Sequence, residues 1–349
     1  MEDDEKVSFC ERILSDLDNI FKRDANILEF DIIESVDSIC NKSPVIYVDH
    51  NLALEKWCIP HLYDYANKKI VAFKNNSQRS DLYMIHQLTR IMLFINPDLT
   101  TAWNLRRVVV NNNVQTHLDD LKLTELVLLR KPKCASLFNY REWLLNSLFQ
   151  INKTISFQLV DHELVVTLNA ASRYARNYYA WSHRAWIFTF YLTNTNNSQY
   201  INKKIIEDLQ ITESWIESHV SDYSCFQHRQ FLFGTLFGYG MIPSISAIVS
   251  EQSKIEILLN EFKFLNSLFR LYPEQESLFL HRRALLHSAR RWCPDKLELL
   301  RQSEIEFYKK HICPSLIESP VQRIKSWSDE IQQRYLAYLK RNLNWTFDN

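Results

Sequence analysis

Residues 177–186 read NYYAWSHRAW, a histidine and an arginine enclosed by two tryptophans five positions apart. A guanidinium and an imidazole inside the most aromatic stretch of a chain admit two readings: a reactive site, or a structural element. The rest of the chain separates them. Four more stretches align in register: TAWNLRRVVV (101–110), LFNYREWLLN (137–146), SCFQHRQFLF (224–233) and SLFLHRRALL (277–286). An aromatic, two residues and an arginine recur as Trp103/Arg106, Phe138/Arg141, Trp181/Arg184, Phe226/Arg229 and Phe279/Arg282. The residue before the arginine is leucine, then tyrosine, then His183, His228 and His281. Two residues after it, the middle copies carry Trp143, Trp186 and Phe231. The arginines are 35, 43, 45 and 53 residues apart. A single W-x-x-R means nothing; five in register mark an internal repeat.

Each copy follows a segment of helical periodicity, at 79–95, 114–130, 156–174, 203–219 and 254–270. In the last, Ile255, Leu258, Leu259, Phe262, Leu265 and Phe269 share one helix face. Pro97, Pro132 and Pro273 each stand six residues before the motif aromatic, where a helix should stop. The unit is thus a helix, a short loop, and a second helix carrying aromatic and arginine. Stacked helical hairpins of this kind predict an all-α fold, a superhelical α-solenoid. Five repeats are expected over 79–290, between a divergent N-terminal region (1–78) and C-terminal capping helices (291–349). Partial alternation over 26–50 predicts short extended pieces, followed by a helix over 51–70. A closing helix is expected over 326–343. The segment 234–253 holds Gly234, Gly238 and Gly240 and reads as an irregular insertion.

Those three are the only glycines in 349 residues, against an average usage of about 7%. Glycine-rich phosphate loops and dinucleotide fingerprints are thereby excluded, apart from one cluster that follows no strand. Hairpin-rich β folds are disfavoured for the same reason. Lysines plus arginines and aspartates plus glutamates number 41 each. This balance gives no support to a nucleic-acid or anionic-membrane role, including RNA-reading helical repeats. Seven scattered cysteines form no C-x-x-C pair, which suits reduced thiols and a cytoplasmic setting. The acidic start MEDDEKVSFC lacks a signal core, and no run approaches the roughly 18 apolar residues of a membrane span.

N-Y-x-A-W-x-H-R-x-W resembles the signature of the protein prenyltransferase α-subunit repeat, and the resemblance covers about residues 79–290. Four blocks make it specific to one branch of that family: SPVIYVDHNLALEKWC (43–58), INPDLTTAWNLRR (95–107), NYYAWSHRAW (177–186) and HVSDYSCFQHRQFL (219–232). The resemblance implies a crescent of helical hairpins wrapped around a β subunit. That partner, of the Rab geranylgeranyltransferase type, would carry the catalytic zinc. No cofactor is expected on this chain. The implied reaction is attack of a zinc-bound C-terminal cysteine of a protein substrate on geranylgeranyl diphosphate, held at the heterodimer interface. The alternative is a non-catalytic helical-repeat scaffold or adaptor that recruits substrates.

The same resemblance singles out two candidate catalytic residues. In farnesyltransferase-type α subunits a lysine directly before N-Y-x-A-W reaches the diphosphate, with a tyrosine two residues later close by. The matching residues are Arg176 and Tyr178. An arginine can stabilise charge developing on a leaving phosphate. The same phase elsewhere holds Asp98, Lys133, Ser221 and Glu274, so the repeat does not demand a cation there. No spacing suggests a metal site on this chain. The five repeat arginines, with His183, His228 and His281, are instead expected to be architectural, the guanidiniums paired with helix-end carbonyls or a neighbouring carboxylate. Asn104, Asn139, Asn177, Tyr178, Tyr179, Asp222 and Tyr223 are expected on the partner-facing surface.

Overall fold

A computed structural model describes residues 3–34, 43–75, 81–194, 198–237, 250–312 and 327–345. The chain divides into two compact units, Met1–His183 and Arg184–Asn349. The first contains α1 (Asp3–Arg23), β1 (Glu29–Ile33), β2 (Val45–Val48), β3 (Asn51–Glu55), α2 (Ile59–Asn75), α3 (Leu82–Ile95), α4 (Thr100–Asn111), α5 (His117–Arg130), α6 (Ala135–Asn152), α7 (Phe157–Arg173) and the start of α8 (Tyr178–Asn194). The second holds the rest of α8, then α9 (Ser198–Ser218), α10 (Tyr223–Leu236), α11 (Glu251–Leu271), α12 (Glu276–Trp292), α13 (Leu297–Phe307) and α14 (Trp327–Leu343).

The expected helical-repeat fold is what forms. Three of the first helices start where a short polar side chain satisfies free N–H groups of the first turn. Thr116 accepts from Asp119 N, Ser156 from Leu159 N and Ser250 from Ser253 N. In the first unit α3 packs on α4 and α5 on α6. The first helices of successive pairs also touch (α3–α5, α5–α7), as do the second helices α4 and α6, giving two helical layers. In the second unit α9 pairs with α10 and α11 with α12, while α12 also packs on α10 and α14.

One expectation over the N-terminal region is corrected. The helix foreseen from residue 51 begins at Ile59, because Asn51–Glu55 form a strand. NLALE alternates, with Leu52 and Leu54 buried on one face, and Glu55 at its end is buried as well. β3 lies between β1, which it pairs in parallel, and β2, which it pairs antiparallel. Asp49 and His50, both at positive φ, close the β2–β3 hairpin. Of the stretch 234–253, residues 234–236 continue α10 and α11 starts at Glu251. Residues 238–249, with Gly238 and Gly240, lie outside the described residues.

The core is organised around the repeat arginines. Arg106, Arg141, Arg184, Arg229 and Arg282 are at most 1% exposed. A buried guanidinium needs a full set of acceptors, and the helices supply one repeatedly. Arg106 donates through Nε to Asp120 Oδ2 at 3.0 Å and reaches back to His86 O at 3.1 Å and Thr89 Oγ1 at 3.5 Å. Arg141 donates to Glu163 Oε2 at 3.1 Å, and to Leu121 O at 2.8 Å and Thr124 Oγ1. Each arginine thus joins three helices: its own, the one before and the one after.

In the second unit Arg184 binds Asp208, Arg229 binds Glu261, and Arg282 binds Glu304. Arg229 also reaches back, to Leu209 O at 2.5 Å and Thr212 Oγ1 at 2.7 Å. Every one of these carboxylates is shared with an aromatic or imidazole side chain of the following motif or closing helix. Tyr140 donates to Asp120, and Tyr335 to Glu304 at 2.6 Å. His183 Nε2 lies 3.3 Å from Glu163, His228 Nε2 2.6 Å from Asp208, and His281 Nε2 2.9 Å from Glu261. Burial pushes the Glu163 carboxyl up, but Arg141 and His183 outweigh it and hold its pKa down to about 2. Arg229 and His281 do the same to Glu261, also at about 2.

Candidate functional site

The loops that lead into the second helix of each pair form one edge of the first unit. There α8 starts at Tyr178, and its capping residue is Asn177. Arg176, just before the cap, has φ 55°, in the left-handed region that costs a residue with a Cβ and is uncommon for arginine. Tyr178 N donates to Arg176 O at 3.0 Å, closing a tight turn. Arg176 and Tyr178 are both exposed, and the Tyr178 ring meets Tyr179 edge-on with centroids 5.6 Å apart. In the preceding loop, Lys133 Nζ sits 4.9 Å from the centroid of the Tyr174 ring, a cation–π contact. From the same loop Lys131 pairs with Asp98, one loop further back. The first unit therefore presents Lys133 and Arg176 at the same repeat phase, flanked by Tyr174 and Tyr178. In the second unit the same phase carries Ser221 and Glu274, and Tyr223 OH donates to Glu276 at 3.3 Å.

Two residues expected on the partner-facing surface are buried instead. Asn177 is 0% and Asp222 2% exposed. Both turn inward because each caps a helix: Asn177 Oδ1 accepts from Ala180 N at 3.2 Å, and Asp222 Oδ1 from Ser224 N and Cys225 N. Asp222 also accepts from Trp215 Nε1 at 3.2 Å. Asn104, Asn139, Tyr178 and Tyr223 are exposed, and Tyr179 is half-buried. The repeat residues Trp103, Phe138, Trp181, Phe226 and Phe279 are buried beside their arginines.

The first unit also has a cavity of about 780 Å³ between the end of α1 and helices α3, α5 and α7. Its walls include Phe21, Leu126 and Val166, with Asp18, His86 and Arg90 at one end. Arg90 donates to Asp18 at 3.1 Å. Burial, reinforced by Arg106 and Arg90, drives the His86 pKa down to about 3. Reading the repeat motif alone missed this polar group, along with the carboxylates Asp120, Glu163, Asp208, Glu261 and Glu304. A signal for three of them was present: DLKLT, ELVVT and DLQIT place a carboxylate four residues before a threonine in successive first helices. Among the described residues no three His, Cys, Asp or Glu side chains come together as a metal site, and no helix is long and apolar enough to cross a membrane.

Comparison with known proteins agrees with this architecture. The protein prenyltransferase alpha subunit repeat matches residues 117–148, 160–191 and 205–236, which hold most of α5–α6, of α7–α8 and of α9–α10. Protein prenyltransferase alpha subunit repeat-containing protein 1 of Danio rerio is 30% identical over 328 residues, covering 83% of this chain and 75% of that protein. Geranylgeranyl transferase type-2 subunit alpha of Candida albicans is 24% identical over 247 residues, 63% of this chain and 64% of that subunit. Among solved structures, Candida albicans protein geranylgeranyltransferase-I complexed with GGPP superposes with a TM-score of 0.50 at 14% identity, covering 92% of this chain and 93% of that one, a likeness of fold. The chain is a prenyltransferase α-subunit-like repeat protein, related to geranylgeranyl transferase alpha subunits, and belongs to the protein prenyltransferase alpha subunit repeat family.

Proposed function

We propose that this chain is the α-type subunit of a heterodimeric protein geranylgeranyltransferase, active only with a zinc-bearing β subunit of the Rab geranylgeranyltransferase type. One observation carries the reading. In a chain with prenyltransferase α-subunit repeats, an exposed arginine on a left-handed turn stands directly before the Asn–Tyr that opens α8. Arg176 would meet the diphosphate of geranylgeranyl diphosphate and stabilise the charge that grows as it leaves, with the Tyr178 hydroxyl beside it. Lys133, at the same phase one unit earlier, adds a second cation to that edge. The zinc of the partner would bind the substrate's cysteine and keep it as the thiolate. Buried Asp120 and Glu163 are spent on the arginine clamps, so the chain's own share of the chemistry falls to this edge. A cytoplasmic location belongs to the same reading, supported by the buried thiols Cys10, Cys58, Cys134 and Cys225.

The test is co-expression with candidate β subunits, followed by assay of geranylgeranyl transfer to a protein ending in cysteine. The expected result is a stable heterodimer that transfers the group, and an Arg176→Ala heterodimer slower by about tenfold to a hundredfold. A heterodimer that forms without any transfer would replace this reading with that of a recruiting scaffold. Failure to pair with every β subunit would remove it.

A further inference from the structure

The buried cap of α8 does more than end a helix. Asn177 Nδ2 donates to Pro132 O at 2.7 Å and to Ala170 O at 3.1 Å, while its Oδ1 caps α8. Pro132 immediately precedes Lys133, and Asn177 immediately follows Arg176. One fully buried side chain therefore fastens the loop carrying Arg176 to the loop carrying Lys133. Related latches occur at other loops. Cys134 Sγ donates to Pro97 O at 3.3 Å, and Ser277 Oγ donates to Val220 O. The three acceptors, Pro97, Pro132 and Val220, all lie nine residues before their repeat arginine. Of these three latches, Asn177 is the one that holds two carbonyls and the helix cap together.

We infer that Asn177 is a positioning residue for a diphosphate-binding edge: it fixes the left-handed turn of Arg176 and sets its spacing from Lys133. This rests on the geranylgeranyltransferase reading above. Its physical basis is pre-organisation. Arg176 holds an uncommon backbone conformation only while its surroundings impose it, and a long cation displaced by about 1 Å loses much of its hold on an anion. The ligand is the diphosphate group of an isoprenoid diphosphate. Asn177 never touches it.

Asn177→Ser separates the two roles of the side chain. Serine caps a helix about as well as asparagine, yet cannot span both carbonyls. In the chain alone, amide hydrogen exchange over 131–137 and 174–180 is expected to rise in Asn177→Ser, with little change elsewhere. Unchanged exchange there would overturn the fastening. In the heterodimer, Asn177→Ser is expected to weaken geranylgeranyl diphosphate binding about tenfold, the worth of one charge-assisted contact. The KM for the protein substrate should stay constant. In an Arg176→Ala background the same change should have no further effect on diphosphate binding. Equal weakening in both backgrounds, or loss of both substrates together, would leave Asn177 a purely structural cap. Should Arg176→Ala itself bind the diphosphate as tightly as the unaltered chain, the underlying reading fails, whatever the exchange experiment gives.

Discussion

Arg141 and Arg176 lie in the same unit and carry the same charge, and their surroundings are opposite. Arg141 is wholly buried, ringed by Glu163, Leu121 O and Thr124, in an arrangement repeated along the chain. Arg176 is exposed on a left-handed turn, at a phase where the other repeats hold Asp98, Lys133, Ser221 and Glu274. A recurring, desolvated guanidinium is committed to holding helices together, since anything that frees it leaves a buried charge. A non-recurring, solvated one costs the fold little and can be given another task. Recurrence, rather than the residue type, separates the two.

The contrast breaks if the two arginines respond alike to removal. Arg141→Ala should cost about 3–5 kcal/mol, because Glu163 is left buried without its main partner; soluble yield and the denaturant midpoint read this. The end of the arginine series at α3 gives a pH signature. His86 titrates at about 3 in the folded chain against an ordinary value of 6.5. Between those values the unfolded chain binds a proton that the folded one does not, so stability falls as pH falls. Replacing it, as His86→Gln, should remove about 1.4 kcal/mol of that loss per pH unit between pH 6.5 and 4.5, measured by denaturant unfolding. Thr124→Val deletes one acceptor of Arg141 and should cost about 1 kcal/mol in the same assay. Arg176→Ala should move stability by less than about 0.5 kcal/mol. A large loss there would place Arg176 with the clamps and against the role proposed for it.

Much of this was legible in the sequence for one reason: five copies multiply a weak signal. The helix pairs follow from periodicity and from loop prolines, both local properties. The partners of the arginines were less visible. Asp120 stands beside Asp119, and Asp208 beside Glu207, so composition does not distinguish a buried carboxylate from its less buried neighbour. Only alignment of the first helices on their own DLKLT, ELVVT and DLQIT stretches separates them. Asn177 and Asp222 were misplaced on the surface because a polar residue at a loop reads as exposed, whereas a capping residue turns its side chain inward. NLALE, five residues long, carries too little pattern to tell a strand from a first helical turn. Its pairing with β1 and β2 decides the matter, and that pairing is set by tertiary contact.

The first motif departs from the others in a single respect. It has Leu105 where later copies have tyrosine or histidine, and Ile85 stands where their shared carboxylate would be. Hydrocarbon at both positions gives the series a terminus. An added unit could not dock there through the shared-carboxylate joint, because neither half of the joint is present. Two side chains thus mark this end of the series, much as a polymer chain is stopped by a monomer with no reactive group.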